Sequence, residues 1–192
     1  YDVRGVTPML FSAEALVRWE HPELGMVNPG VFIPLFEENG MIRRLDSYVW
    51  EEAARQVHDW KKTYGVLTPV SVNVSRIDIS DSGIVQFFRD LLAKYQLDPV
   101  DLCLEVTETA YTDDEDYIIN TVHALRELGL RVEMDDFGTG YSSLGMISRL
   151  PIDALKLDMV FVRNAFAGSG DVRMIELVID IAKYLGVPVI AE

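Results

Sequence analysis

Five short stretches of this chain share one pattern, an apolar and mostly β-branched run interrupted by polar residues at alternating positions. They are Val70-Ser71-Val72-Asn73-Val74, Leu102-Cys103-Leu104-Glu105, Val132-Glu133-Met134-Asp135-Asp136, Leu155-Lys156-Leu157-Asp158 and Val187-Pro188-Val189-Ile190-Ala191-Glu192. Side chains on a strand alternate between its faces. The apolar members of each run therefore point one way, and the Asn, Glu, Asp or Lys points the other. Helical patterns separate the runs, which is the signature of βα units on a parallel sheet. Parallel strands are normally apolar on both faces. Costly polar groups placed in strand after strand must converge on something, and for carboxylates with one Lys that something is divalent metal.

The rest of the chain fills in around these runs. Residues 1–11 are weakly patterned and read as a loop. Ala13 to Trp19 reads as a sixth strand, with Glu14, Leu16 and Arg18 on one face. Asn28-Pro29 starts a short helix that stops at Asn39-Gly40. Asp46 reads as the cap of the next helix, whose apolar stripe runs through Val49, Trp50, Ala53, Ala54, Val57 and Trp60. Further helices are predicted near 83–95, 114–128 and 171–185. A loop covers Phe137-Gly138-Thr139-Gly140-Tyr141, with Ser142 or Ser143 capping a short helix, and a turn lies near Asn164.

Six strands with parallel βα connections fit two architectures. An open doubly wound sheet binds its ligand at one crevice, where strand order reverses. Here almost every strand offers a polar group, which fits strand ends arranged around one axis. The expectation is an α/β fold, a TIM-type (β/α)8 barrel. Such a barrel needs eight strands and typically about 250 residues. The chain has 192 residues, lacks an initial Met and stops inside a strand-like run. It reads as one domain over residues 1–192, an incomplete barrel lacking the first and last strands.

Bulk properties narrow the function. A net charge of −14 argues against a nucleic-acid polymer as partner, which would require a basic face. A small phosphorylated ligand stays open, because metal ions can supply positive charge. The single Cys suits a reducing compartment, and Cys103 reads as a plain buried residue. No apolar run is long enough to span a bilayer. The expectation is a cytoplasmic segment with no membrane contact of its own, which leaves room for a tether elsewhere in the parent protein.

Glu14, Asn73, Glu105, Asp135 and Asp136 are oxygen donors of the kind hard divalent cations select. Neighbours in a regular strand face opposite ways, so Asp136 is expected where the strand gives way to loop. There one carboxylate can hold a first ion and bridge to a second. Two ions about 4 Å apart can clamp the attacking and leaving oxygens of an in-line phosphoryl displacement. Lys156 shares the interior face and can hold a nucleophilic water or offset phosphate charge. Arg18 is a candidate phosphate fork. Glu133 also faces inward and needs a partner, for which alternation offers Ser71 and Cys103. The three His residues form no ligand set. Gly138-Thr139-Gly140 lacks the Lys and spacing of a P-loop and reads as a lid.

These residues carry a resemblance to a known family. Glu14-Ala15-Leu16, followed by Val17-Arg18-Trp19, resembles the signature of EAL-domain cyclic di-GMP phosphodiesterases. Asn73 in Asn-Val-Ser, Glu105 and Glu108 in Glu-Val-Thr-Glu, the run Asp135 to Ser143, Lys156 in Lys-Leu-Asp and Ala191-Glu192 follow in the family's order. The resemblance implies a bacterial signalling hydrolase, a TIM barrel in which Mg2+ or Mn2+ ions activate water to convert cyclic di-GMP to linear pGpG. By motif match, Glu14, Asn73, Glu105 and Asp135 would hold the first ion. Asp136 and Glu192 would join Asp135 on the second. Lys156 would position the water, Glu192 would be the general base, and Arg18 and Leu16 would face the substrate. Glu108 would anchor the lid formed by Phe137, Gly138, Thr139, Gly140 and the residues to 143, a region that in the family also serves homodimer contacts. The resemblance further implies a parent chain with sensory or cyclase domains. The family's first strand with its Gln-Pro, and the strand after Ala-Glu, have no counterpart here. Sheet edges would then be exposed, so activity is expected of the complete domain rather than of this stretch. The rival reading is a catalytically silent receptor that binds the dinucleotide and acts through a protein partner.

Overall fold

The computed structural model describes residue 7 and residues 10–65, 68–108, 110, 115–137, 149, 151–166 and 172–191. Each of the six predicted strand runs supplies one strand to a single parallel sheet. These are β1 (Ala13–Glu14), β4 (Val70–Val74), β5 (Leu102–Thr107), β6 (Arg131–Phe137), β7 (Ala154–Leu157) and β8 (Val189–Ala191). They pair in chain order, β1-β4-β5-β6-β7-β8, so the sheet curls as an incomplete barrel rather than reversing like a doubly wound fold. Lateral order equals chain order because each βα unit lays its strand beside the previous one with the same hand.

The alternation sorts the two faces as the sequence pattern requires. Val72, Val74, Leu104, Val106, Val132, Met134, Leu155 and Leu157 are buried against helices. Those helices are α2 (Ile42–Tyr64), α4 (Ile84–Tyr95), α5 (Glu115–Glu127) and α7 (Val172–Leu185). Trp50 packs on Phe87 and Phe88 with ring centroids 5.2 and 4.9 Å apart, joining α2 to α4. Trp50 also donates Nε1–H to the carbonyl of Asn73 at 2.9 Å. One indole thus fixes both the outer layer and the end of β4.

Three readings need correction. The strand from Ala13 ends at Glu14, after which Ala15 gives one last N–H to the Ser71 carbonyl at 2.8 Å. The chain then leaves the sheet for a hairpin the pattern did not show, β2 (Trp19–His21) with β3 (Gly25–Val27). Trp19 draws it away by packing on Phe32 and Phe36 of α1 (Pro29–Glu38), with centroids 5.5 and 5.9 Å apart. The hairpin closes on Gly25 at φ 67°, and His21 Nδ1 accepts the N–H groups of Glu23 and Leu24. Asp46 is no cap: α2 begins at Ile42, and Asp46 sits one turn inside it. The turn near Asn164 is a helix, α6 (Met159–Phe166), because Asp158 caps it through a 2.8 Å bond from the Phe161 N–H. That cap outweighs the β-branched residues of the segment. A short helix, α3 (Arg76–Ile79), follows β4 directly, capped by Ser75. Among the described residues no helix is long and apolar enough to cross a membrane.

Candidate active site

The interior face carries its polar residues in two layers. The lower layer holds Ser71, Cys103 and Glu133, all buried. Burial raises the Glu133 carboxyl above its ordinary value, and a hydrogen bond from Cys103 opposes the rise. The Cys103 thiol is in turn pushed up, first by burial and then by the Glu133 charge, with Ser71 hydrogen-bonded to it. Both partners that alternation offered to Glu133 therefore belong to its cluster, and Cys103 is the one in contact.

The upper layer holds Glu14, Asn73, Glu105, Asp135 and Lys156. Asn73 lies opposite Glu105 across β4 and β5, and Asp135 stands two residues beyond Glu133, the register partner of Glu105 on β6. Lys156 Nζ sits 2.9 Å from Glu105 Oε1 and 3.4 Å from Asp135 Oδ1, with all three side chains buried. Asn73 Nδ2 donates to Glu14 Oε1 at 3.0 Å, and both of these residues are exposed. Burial raises the Glu105 carboxyl to about 8, against the pull of Lys156, and the charges of Glu14 and Asp135 add to the rise. Glu105 Oε2 and Asp135 Oδ1 are buried and accept no hydrogen bond among the described residues. Among those residues no three Asp, Glu, His or Cys side chains converge closely enough to form a ready metal cage. The acids are gathered around a lysine instead.

Asp136 does not lie beyond the strand, as alternation suggested. It lies within β6, where the pairing to β7 shifts between Met134 and Phe137. Its φ of 54° is left-handed. This bulge, like the expected loop, frees two adjacent carboxylates from opposite faces. Phe137, the first lid residue, is buried at the end of β6. Glu108 is buried as well, not turned to solvent. Gly138, Thr139 and Gly140, the remaining lid residues and Glu192 lie outside the described residues.

A cavity of about 710 Å³ opens beside this layer. Leu16, Arg18, Ile33, Asn73, Ile77 and Thr107 contribute to its wall. Leu16 and Arg18 thus reach the site from the segment after β1, although that segment is not strand. Arg18 donates to the Val17 carbonyl at 2.9 Å and pairs with no carboxylate among the described residues. Asn73 is shared between cavity and acid layer. His58 is occupied elsewhere, with Nδ1 2.7 Å from the Tyr95 carbonyl.

The EAL domain family matches residues 3–192. The chain belongs to the EAL domain family. It is 36% identical over 185 residues to the bifunctional diguanylate cyclase/cyclic di-GMP phosphodiesterase MucR of Pseudomonas aeruginosa, covering 96% of this chain and 27% of MucR. It is 40% identical over 179 residues to the cyclic di-GMP phosphodiesterase NbdA of the same organism, covering 93% of this chain and 23% of NbdA. The chain thus spans about a quarter of the length of these curated relatives. A solved MucR phosphodiesterase in complex with cyclic di-GMP superposes with a TM-score of 0.89 at 35% identity, over 96% of this chain and 74% of that one. The EAL match supports the barrel reading, and the MucR superposition supports its being incomplete.

Proposed function

We propose that this EAL domain is the catalytic part of a metal-dependent phosphodiesterase that opens cyclic di-GMP to linear pGpG. The observation that carries the reading is the buried Glu105–Lys156–Asp135 cluster beside a cavity walled by Arg18 and Asn73. The relatives named as cyclic di-GMP phosphodiesterases give the substrate. The donor set fits Mg2+ or Mn2+: it is all oxygen, and two of its buried carboxylate oxygens lack a hydrogen bond among the described residues. Glu14, Asn73, Glu105 and Asp135 would hold a first ion, and Asp135, Asp136 and Glu192 a second. Bound there, such ions supply charge neutralisation and a water of lowered pKa.

The chain's own residues do the rest. Lys156, fixed between two carboxylates, orients the attacking water and cannot ligate while protonated. Glu192 accepts the proton of that water as general base. Arg18 forks onto a phosphate from the cavity wall, and Leu16 lies against the substrate beside it. Glu108, buried at the end of β5, anchors the lid of residues 137–143. The lid region also serves a homodimer, and the parent protein is cytoplasmic or membrane-tethered, with sensory or cyclase domains attached.

The decisive assay incubates the complete domain with cyclic di-GMP and Mg2+ or Mn2+ and separates products by chromatography. Appearance of pGpG is expected. Tight binding of cyclic di-GMP without product would instead establish the silent receptor.

A further inference from the structure

Trp50 belongs to the apolar stripe of α2, and packing accounts for its ring, which is 2% exposed with Phe87 and Phe88 against it. Its N–H needs a separate account, because a buried indole N–H must find an acceptor. The acceptor is the Asn73 carbonyl, 2.9 Å away. Strand pairing explains why that carbonyl is on offer. β1 pairs with β4 through Ala13 with Val70 and Glu14 with Ser71, and no further. The Ala15 N–H takes the Ser71 carbonyl at 2.8 Å, and the chain then leaves the sheet. Carbonyls two residues apart on a strand point to the same side. The Asn73 carbonyl therefore faces the edge that β1 has left, where no strand among the described residues pairs with it.

The exposed half of the candidate site depends on that carbonyl. The Asn73 side chain is exposed and donates Nδ2–H to Glu14 Oε1 at 3.0 Å. That bond leaves Asn73 Oδ1 as the oxygen for an ion. Packing does not hold an exposed amide, so its aim is set by its backbone. On one edge this backbone pairs with β5, through Asn73 with Glu105 and Val74 with Val106. On the other edge its hold is Trp50. We propose that the Trp50 indole N–H stands in for the missing strand partner, which makes Trp50 a positioning residue for Asn73 and lets it set the affinity of the first ion without touching it. The ion belongs to the phosphodiesterase reading, whereas the tie from α2 to β4 does not depend on it.

Trp50→Phe keeps a ring in the cluster and removes the N–H. Phe88→Leu thins the same cluster and keeps the N–H, so it controls for lost packing. Hydrogen exchange on the intact chain without metal reads the tie. In Trp50→Phe the amides of Val72, Asn73 and Val74 should exchange about fivefold faster relative to those of Val132 and Met134 on β6. In Phe88→Leu the two sets should move together.

Calorimetric Mn2+ titration reads the consequence. The dissociation constant should rise about tenfold in Trp50→Phe and less than about twofold in Phe88→Leu. On an Asn73→Ala background, Trp50→Phe should add less than about twofold, because both changes then remove one and the same contribution. In a chain that hydrolyses cyclic di-GMP, turnover of Trp50→Phe should drop about tenfold at limiting Mn2+ and return to within about twofold of the parent at saturating Mn2+. Parallel exchange in both variants, equal loss of Mn2+ affinity in both, or effects of Trp50→Phe and Asn73→Ala that simply add, overturns the proposal. A parent chain that binds no Mn2+ overturns the ion assignment instead, and the exchange comparison then decides whether Trp50 holds Asn73.

Discussion

The two halves of the candidate site are held in opposite ways. On β5, β6 and β7, Glu105, Asp135 and Lys156 are buried, and Lys156 pairs with both acids across strands. On β1 and β4, Glu14 and Asn73 are exposed and share one hydrogen bond, on a strand only two residues long. The buried half is costly to take apart, because removing one partner leaves a charge without compensation. The exposed half costs the fold little and is free to answer to ligand. Stability and chemistry should therefore separate across the site.

Lys156→Ala should give the largest effect. It removes the cation that pairs with Glu105 and Asp135, so unfolding free energy should drop by about 3–5 kcal/mol, and turnover should vanish. Mn2+ should restore part of the lost Tm, because an ion bound only by the folded state stabilises it. If denaturant titration shows no loss, the buried half is not held together by that charge. Asp135→Asn comes next. It should weaken both proposed ion sites, whereas Asp136→Asn should spare the first, as calorimetric Mn2+ titration would show. Equal effects in the two variants would erase the distinction between bridging and terminal carboxylates.

Glu14→Ala sharpens the comparison from the exposed side. It should abolish turnover, yet change stability by no more than about 0.5 kcal/mol, the usual range for a surface substitution. A large Tm loss there would show that the two halves are one unit. Glu108→Ala should have the smallest effect on rate. We expect turnover to drop about tenfold, roughly 1.4 kcal/mol on the barrier, with weaker metal and substrate affinity. Unchanged steady-state kinetics would remove Glu108 from the lid.

The legible parts of the sequence were those where a periodic pattern and its physical cause coincide. Val70–Val74 and Leu102–Thr107 alternate cleanly because one face meets helices and the other the barrel interior. Lys156 could be placed inside from alternation alone, but its choice of Glu105 and Asp135 as partners depends on register, which no single strand encodes. The β2–β3 hairpin was hidden because Ala13 to Trp19 alternates past the point where β4 can still pair with it. Aromatic packing across α1 decided that segment instead. Asp46 was misread for a related reason: an acid before a helical stripe looks like a cap. The helix begins at Ile42, one turn earlier, and carries no side-chain cap.

The bulge at Asp136 has a consequence for anyone who engineers this domain. A side chain held at φ 54° is in a region that only Gly, and to a lesser degree Asn and Asp, enters cheaply. A screen for heat-resistant variants would favour Asp136→Gly, which relaxes the backbone by about 1 kcal/mol or more. Such a variant would express well, melt later and pass as an improvement, having discarded a carboxylate that the chain keeps at the expense of its own robustness.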